Sequence, residues 1–187
     1  MNAMIRILLG SFLVIALLAA CGTKDSPRVL PAGEQITEIE DLMKQMFKYS
    51  SAPNMRSESD SVTDVLKSRY DRFVDEYPKH EMAPVYLDQA ANIGRKKRDY
   101  SSALEYYNRI INEYPEYENI IEVKFLIAFV YDAELRDKDK AREHYQSVAD
   151  EYPNHVFGQD AKARLENLHM TDEELIEHFE KSNDISD

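Results

Sequence analysis

The amino-acid sequence predicts an all-α protein, a solenoid of helix-turn-helix repeats with about three repeats, C-terminal capping helices and no sheet. Glu-Tyr-Pro occurs three times, and the prolines Pro78, Pro115 and Pro153 are 37 and 38 residues apart. Apolar residues before each proline recur at intervals of three and four, which is the spacing of one helical face. Only five of the 187 residues are glycine, so we expect short loops. A constant period of this length is typical of a stacked repeat array.

Composition excludes several classes of protein. Hydrophobic residues make up 43% of the chain and charged residues 31%, which suits a globular core rather than wholesale disorder. The 23 Lys and Arg against 35 Asp and Glu give a net charge of −12, which argues against nucleic acid as a partner. A single cysteine excludes an internal disulfide and a cysteine-based zinc site.

Residues 1–20 are predicted to be a lipoprotein signal peptide. Arg6 gives the start of the chain a positive charge, and the apolar run at 7–18 is too short to span a membrane but suits a secretory leader. The leader ends in Leu-Ala-Ala-Cys, which resembles the lipobox of bacterial lipoprotein precursors. That resemblance implies cleavage before Cys21 and lipid attachment to its sulfur; an ordinary secretory signal that contains a cysteine is the alternative.

The lipidated cysteine and a flexible tether are predicted to occupy residues 21–33, which include Pro27, Pro31 and Gly33. Two or three acyl chains suffice for stable membrane anchoring. Gly22 follows the cysteine where, by the same resemblance, an acidic residue would retain the protein in the inner membrane. We therefore expect a lipid-anchored outer-membrane protein that faces the periplasm, with exposure on the cell surface as the alternative.

The helical domain is predicted to span residues 34–168, with two helices in each repeat. In the middle repeat, Pro84 opens a helix that runs to Gly94, since proline suits the first turn of a helix. The turn of the last repeat, 135–139, has one extra residue, which accounts for the interval of 38. The predicted core positions are Ala91, Ala103, Tyr107, Ala128, Tyr131, Ala141 and Tyr145.

The two ends of the array differ from its middle. Leu66 stands where the first repeat would have alanine, as terminal repeats are often atypical. A capping helix is predicted over 156–168, and a short C-terminal helix and tail over 169–187, with a capping box at 171–174. We favour packing of this short helix on the last repeat, because isolated helices of its length are marginal in water; docking on a partner is the alternative.

The repeat pattern resembles the tetratricopeptide repeat, a helix-turn-helix unit with a small residue in each helix and a closing proline. The long period, the Tyr-Pro ending and the Asp-Tyr-x-x-Ala turn at 99–103 are similar to those of BamD-like and Tol-Pal-associated envelope lipoproteins. The resemblance covers residues 34–168. It implies a non-catalytic, membrane-anchored scaffold that binds other envelope proteins or peptides. An accessory subunit of an outer-membrane protein assembly machine is the alternative.

No set of residues for catalysis, a cofactor or a metal is recognisable in the sequence. The five histidines form no paired spacing on a helix, and the glycines are too scattered for a phosphate loop. Glu174 and His178 are four residues apart, but two ligands do not make a metal site. We therefore predict a protein that is not an enzyme and has no cofactor.

The binding groove is expected on the first helices of the repeats. Asp88 and Glu122 place negative charge where a clamp for a partner's terminal carboxylate needs lysine, so that ligand is not expected. Phe125 and Phe129 share a helical face. They suggest an apolar or helical ligand if both rings remain exposed, and burial in the core is the equal alternative. The candidate groove residues are Asp88, Asn92, Arg95, Glu122, Phe125, Phe129 and Asp132.

One basic cluster, residues 95–98, lies at the predicted end of a helix in this acidic chain. Cations there complement the negative end of the helix dipole, which is the interpretation we favour. A contact with lipid phosphate or with an acidic patch on a partner is the alternative.

Overall fold

The computed structural model describes residues 29–52, 54–168, 170 and 174, and a compact unit begins at Pro31. The predicted signal peptide, the lipidation site at Cys21 and nearly all of the predicted C-terminal helix lie outside the described residues.

Seven α-helices account for most of the described chain, and no strand occurs in it, which confirms the predicted all-α fold. A five-residue π-helical segment, Val130–Glu134, continues α5 and is called the π turn below. The helices are α1 Ala32–Ser50, α2 Arg56–Glu76, α3 Met82–Lys96, α4 Tyr100–Glu113, α5 Ile120–Phe129, α6 Lys138–Glu151 and α7 Val156–Asn167.

Each helix packs mainly on its neighbours in the chain, so the fold is a linear array of helix pairs. The pairs α1–α2, α3–α4 and α5–α6 form three repeats, and α7 packs on α6 and α5 as the cap. The predicted architecture of three repeats with a capping helix is therefore confirmed within the described residues. The first helices of the second and third repeats and the cap (α3, α5 and α7) supply the side chains of the site below.

The Tyr-Pro pairs end the second helix of every repeat in the same way. Tyr77, Tyr114 and Tyr152 have φ between −135° and −130° and ψ between 52° and 58°, because the following proline disfavours the helical conformation. Each tyrosine carbonyl then accepts a hydrogen bond from the backbone N–H three residues later, at 3.0 Å. Proline at the second position favours this turn. The repeated Tyr-Pro therefore sets an identical exit from each repeat.

The turn inside each of the last two repeats also recurs. Arg98 (φ 62°) and Arg136 (φ 56°) adopt the left-handed conformation that ends the first helix. The next residue, Asp99 or Asp137, caps the second helix by accepting a hydrogen bond from the backbone N–H three residues on.

The core is a ladder of buried tyrosines and alanines along the array. Tyr70, Tyr107 and Tyr145 occupy equivalent places and are fully buried. Of the seven predicted core positions, six are buried, and Tyr131 is half-buried. A Cβ atom on Gly94 would lie 3.3 Å from the Ala103 Cβ, so this small pair lets α3 and α4 approach closely.

The extra residue of the last repeat lies in the π turn rather than in the loop, so the predicted longer loop at 135–139 is wrong. In the second repeat, the N–H of Asp99 donates to the carbonyl of Gly94, five residues back. In the third repeat, the N–H of Asp137 donates to the carbonyl of Tyr131, six residues back. The helix therefore absorbs the insertion as one wide turn, as π bulges do.

Candidate functional site

An open pocket of about 830 Å³ lies between the C-terminal part of α3, the end of α5 with the π turn, and α7. Apolar side chains and charged side chains both line it. Four of the seven candidate groove residues take part: Arg95, Phe125, Phe129 and Asp132.

Phe125 belongs to the core, so for this ring the structure has the alternative of burial rather than exposure in the groove. Only 8% of Phe125 is accessible, although its edge reaches the pocket wall. Its ring centroid lies 5.4 Å from that of Tyr145 and 5.3 Å from that of Phe157. Such tilted aromatic contacts stabilise a core beyond simple area burial, and they fix the rotation of α5 about its axis.

Phe129 is half-buried and is contacted by two guanidinium groups. The Arg95 Cζ lies 5.4 Å and the Arg164 Cζ 5.3 Å from the Phe129 ring centroid. Cations within about 6 Å of a ring centroid are attracted by its π electrons. Phe129 therefore attracts one arginine from α3 and one from α7, and all three side chains line the pocket.

Arg95 carries an unsatisfied polar group. Its Nε atom is buried without a hydrogen-bond partner, and no carboxylate oxygen in the described residues lies within 4.0 Å of its guanidinium. The hydroxyl of Tyr107 is also buried and forms no hydrogen bond of good geometry, although it lies close to Arg95. Burial raises the pKa of Tyr107 to about 12, while the side-chain interaction with Arg95 and the Arg95 charge oppose that rise. Buried polar groups in native proteins usually have partners, and Tyr107 is the buried polar group that interacts with the Arg95 side chain.

Asp132 is the buried carboxylate of the pocket, with 8% of the residue accessible. Its Oδ1 accepts a hydrogen bond from Lys138 Nζ at 2.7 Å. Its Oδ2 accepts one from the Tyr145 hydroxyl at 3.3 Å and lies 3.7 Å from Arg164 Nη1. The π turn places this acid against cations from α6 and α7, so its charge is compensated inside the fold.

The remaining candidate groove residues form a separate polar cluster that does not line the pocket. Asp88 accepts hydrogen bonds from Asn92 at 3.2 Å and from the Tyr117 hydroxyl at 3.3 Å. Burial raises the pKa of Asp88 and the Glu122 charge adds to that rise, while the two hydrogen bonds and the Arg95 charge oppose it. This cluster joins α3 to the loop before α5 and satisfies its own polar groups.

Sequence reasoning missed the cations that complete the pocket: Arg136, Lys138 and Arg164. Arg136 and Lys138 flank the α6 cap, and Arg164 lies on α7, where the sequence predicts a cap without a role in binding. A pattern within a single helix gives no signal for this grouping, because three separate elements bring the side chains together.

The basic cluster at 95–98 divides between two roles. Arg95 lines the pocket, whereas Lys97 pairs with Asp64 of the first repeat. Within the described chain, no group of three or more His, Cys, Asp or Glu side chains is arranged to hold a metal ion. No helix of that part is long and apolar enough to cross a membrane.

Two comparisons with known proteins bear on this arrangement. The tetratricopeptide repeat model matches residues 87–117 and 122–155, which hold most of α3 to α6. No curated protein matches the chain. Tetratricopeptide repeats are protein-protein interaction modules and are generally non-catalytic scaffolds. The matched segments and the helical array together show that residues 87–155 of the chain contain tetratricopeptide repeats.

Proposed function

We propose that this protein is a non-catalytic interaction scaffold of the bacterial cell envelope, attached to the outer membrane through Cys21 and bound to a partner protein in the pocket. The observation that carries the proposal is the pocket itself, in which two guanidinium groups contact the Phe129 ring. Interfaces usually gain most of their binding energy from such central aromatic and arginine anchors.

The pocket has the dimensions of a binding site for part of a partner protein. A volume of about 830 Å³ lies within the range of ligand sites and accommodates several side chains. Its walls come from α3, α5 and α7, so a partner that enters it contacts two repeats and the cap at once. A partner bound there would stabilise the end of the array.

Crosslinking in cells tests this function directly. A photoreactive amino acid replaces Ala133, an exposed residue of the pocket lining, and in a control replaces Ser101, an exposed residue of α4 outside the pocket. We expect a discrete crosslinked protein from position 133 and none from position 101. Identical products from both positions, or none from either, would overturn the proposal. Capture of outer-membrane assembly components would favour the accessory-subunit alternative.

Membrane attachment has its own test. Cys21→Ser removes the sulfur that would carry the diacylglyceryl group, so this variant should leave the membrane fraction while the parent chain remains there. Unchanged membrane association of the serine variant would contradict the anchor and leave the pocket assignment untouched.

A further inference from the structure

We propose that the pocket selects an acidic, partly apolar segment of the partner protein, and that Arg95 binds a side-chain carboxylate of that segment. This inference rests on the proposed function, because it names the chemistry of the partner at the same pocket.

The charge of the pocket is opposite to that of the chain. Four cationic and two anionic side chains line it, a balance of +2, whereas the whole chain carries −12. A concave site with one sign of charge concentrates its field and attracts ligands of the opposite charge. Acidic segments are repelled by the rest of the surface, so this pocket is where electrostatics favours them.

Neither of the two carboxylates in the pocket lining forms an ion pair with Arg95. Asp132 is already engaged by Lys138, Arg164 and the Tyr145 hydroxyl. The second one, Asp160, is exposed on α7, and neither lies within 4.0 Å of Arg95. The guanidinium of Arg95 therefore has no carboxylate within ion-pair distance in the described residues, and its electrostatic partners Asp88 and Tyr107 lie outside the pocket lining.

Arg95 is also held in place before any ligand arrives. Its guanidinium carbon lies 5.4 Å from the Phe129 ring centroid, and its Nε atom is buried, so the side chain loses little freedom on binding. A planar guanidinium presents parallel N–H donors that match both oxygens of a carboxylate. A side-chain carboxylate of the partner would accept hydrogen bonds from the terminal Nη atoms of Arg95, while the buried Nε atom stays inside the fold.

The apolar part of the pocket lining indicates which residues accompany the acid in the ligand. Leu126, Leu168 and Met170 line the pocket together with the Phe129 ring. A purely acidic chain would leave this surface against water, whereas an apolar side chain next to the acid would bury it. The partner segment is therefore expected to combine Asp or Glu with aromatic or aliphatic residues.

A peptide-display selection on the purified unit from Pro31 to Asp187 tests the inference, with a random library of peptides of about 16 residues as the probe. We expect enrichment of Asp and Glu beside aromatic or aliphatic residues. The strongest peptide, synthesised with an amidated terminus, should bind about tenfold or more tightly than the same peptide with Gln and Asn in place of its acids. Selected peptides without acidic enrichment, or equal binding of the two forms, would overturn the inference.

Variants of the protein then assign the contact to Arg95. Arg95→Gln should lower the affinity for the acidic peptide by about tenfold or more. Arg95→Lys should lower it less, because lysine keeps the charge but loses the planar pair of donors. The matched control Arg69→Gln removes a cation of α2 outside the pocket and should leave affinity within about twofold. Equal effects of Arg95→Gln and Arg69→Gln would overturn the assignment. Circular dichroism of each variant verifies the fold.

The same titration identifies the occupant. Residues 171–187 carry seven acidic side chains and one lysine, so this segment of the chain has a matching charge. With a partner as the occupant, deletion of 171–187 should leave peptide affinity within about threefold. A rise of about tenfold or more would show that the chain fills its own pocket and would overturn assignment to a partner. Failure of peptide binding with retained crosslinking at Ala133 overturns the acidic ligand alone; loss of both removes the proposed function as well.

Discussion

Two phenylalanines four residues apart on α5 have different surroundings, and their truncation should have different costs. Phe125→Ala removes a buried ring that contacts Tyr145 and Phe157, so the free energy of unfolding should fall by about 3–5 kcal/mol. Phe129→Ala should cost less, since that ring is half-buried and its cation contacts contribute about 0.5–2 kcal/mol. Urea denaturation measures both.

The control for this comparison is Phe47, whose side chain on α1 is 73% exposed. Phe47→Ala should change the free energy of unfolding by about 0.5 kcal/mol or less. Equal losses for the Phe125 and Phe47 variants would contradict the burial of Phe125.

His144 makes stability depend on pH. Its ring stacks on Tyr131 with centroids 5.3 Å apart, and burial lowers the pKa of His144 below its ordinary value of 6.5. The unfolded chain therefore binds the proton more readily, so stability is complete above about pH 6.5 and declines as the pH falls through the folded-state pKa. Nearby Glu143 opposes this shift, and Lys140 reinforces it.

Thermal melting at about pH 7.5 and about pH 5.5 tests this effect of His144. The melting temperature of the wild-type protein should fall further on acidification than that of His144→Gln, because the variant lacks the titrating ring. Equal losses in the two proteins would place the pH dependence on other groups.

The sequence could predict that Phe125 and Phe129 share a helix but not which of them is buried. The segment 120–129 is apolar almost all the way round, so its period does not select one face for the core. The choice depends on the rotation of α5, which Tyr145 and Phe157 fix from α6 and α7. Contacts between distant segments decide such cases.

At the level of elements, the left-handed arginines offer a test of the turn geometry. A residue with a Cβ atom pays about 1–2 kcal/mol in the left-handed conformation that Arg98 adopts. Arg98→Gly should therefore raise the free energy of unfolding by up to about 1 kcal/mol. Lys96→Gly, two residues earlier in α3, should lower it by about 1 kcal/mol, since glycine weakens a helix. Denaturant titration distinguishes the two, and destabilisation by both would contradict the turn.

The elements themselves follow closely from the sequence, except for the π turn. Each Tyr-Pro pair and each Asp cap is a local signal, because proline restricts its own residue and the one before it, and an aspartate side chain reaches an N–H three residues on. One inserted residue gives no such signal. It can lengthen a loop or widen a helical turn, and here the buried contacts of Asp132 accompany the second outcome.

For the whole molecule, the core divides into two hydrophobic clusters, one centred on α2 to α4 and one on α5 to α7. Tyr145→Ala should destabilise the second cluster by about 3–5 kcal/mol, since it removes a fully buried aromatic ring. Because repeats are stabilised by their neighbours, hydrogen exchange should accelerate in α6 and α7 and remain slow in α2 and α3. Uniform acceleration along the chain would indicate a single cooperative unit instead.

The array as a whole could be predicted from its period, whereas the pocket could not. Periodicity reports what every repeat has in common, and the tyrosine ladder is such a feature. The pocket depends on what the repeats do not share: Arg95 on α3, Asp132 in the π turn and Arg164 on the cap. These residues lie up to about 70 positions apart in the chain, and only packing of the cap brings them together.

The single residue inserted in the π turn also determines which repeats are interchangeable. A tandem duplication of residues 79–115 would add one full period, a unit whose first helix packs closely through Gly94 and presents no acid like Asp132. Such a copy would lengthen the array without multiplying the pocket. Further units can therefore be gained before the second repeat, whereas the repeat that carries Arg95 and the repeat that carries the insertion must both stay next to the cap.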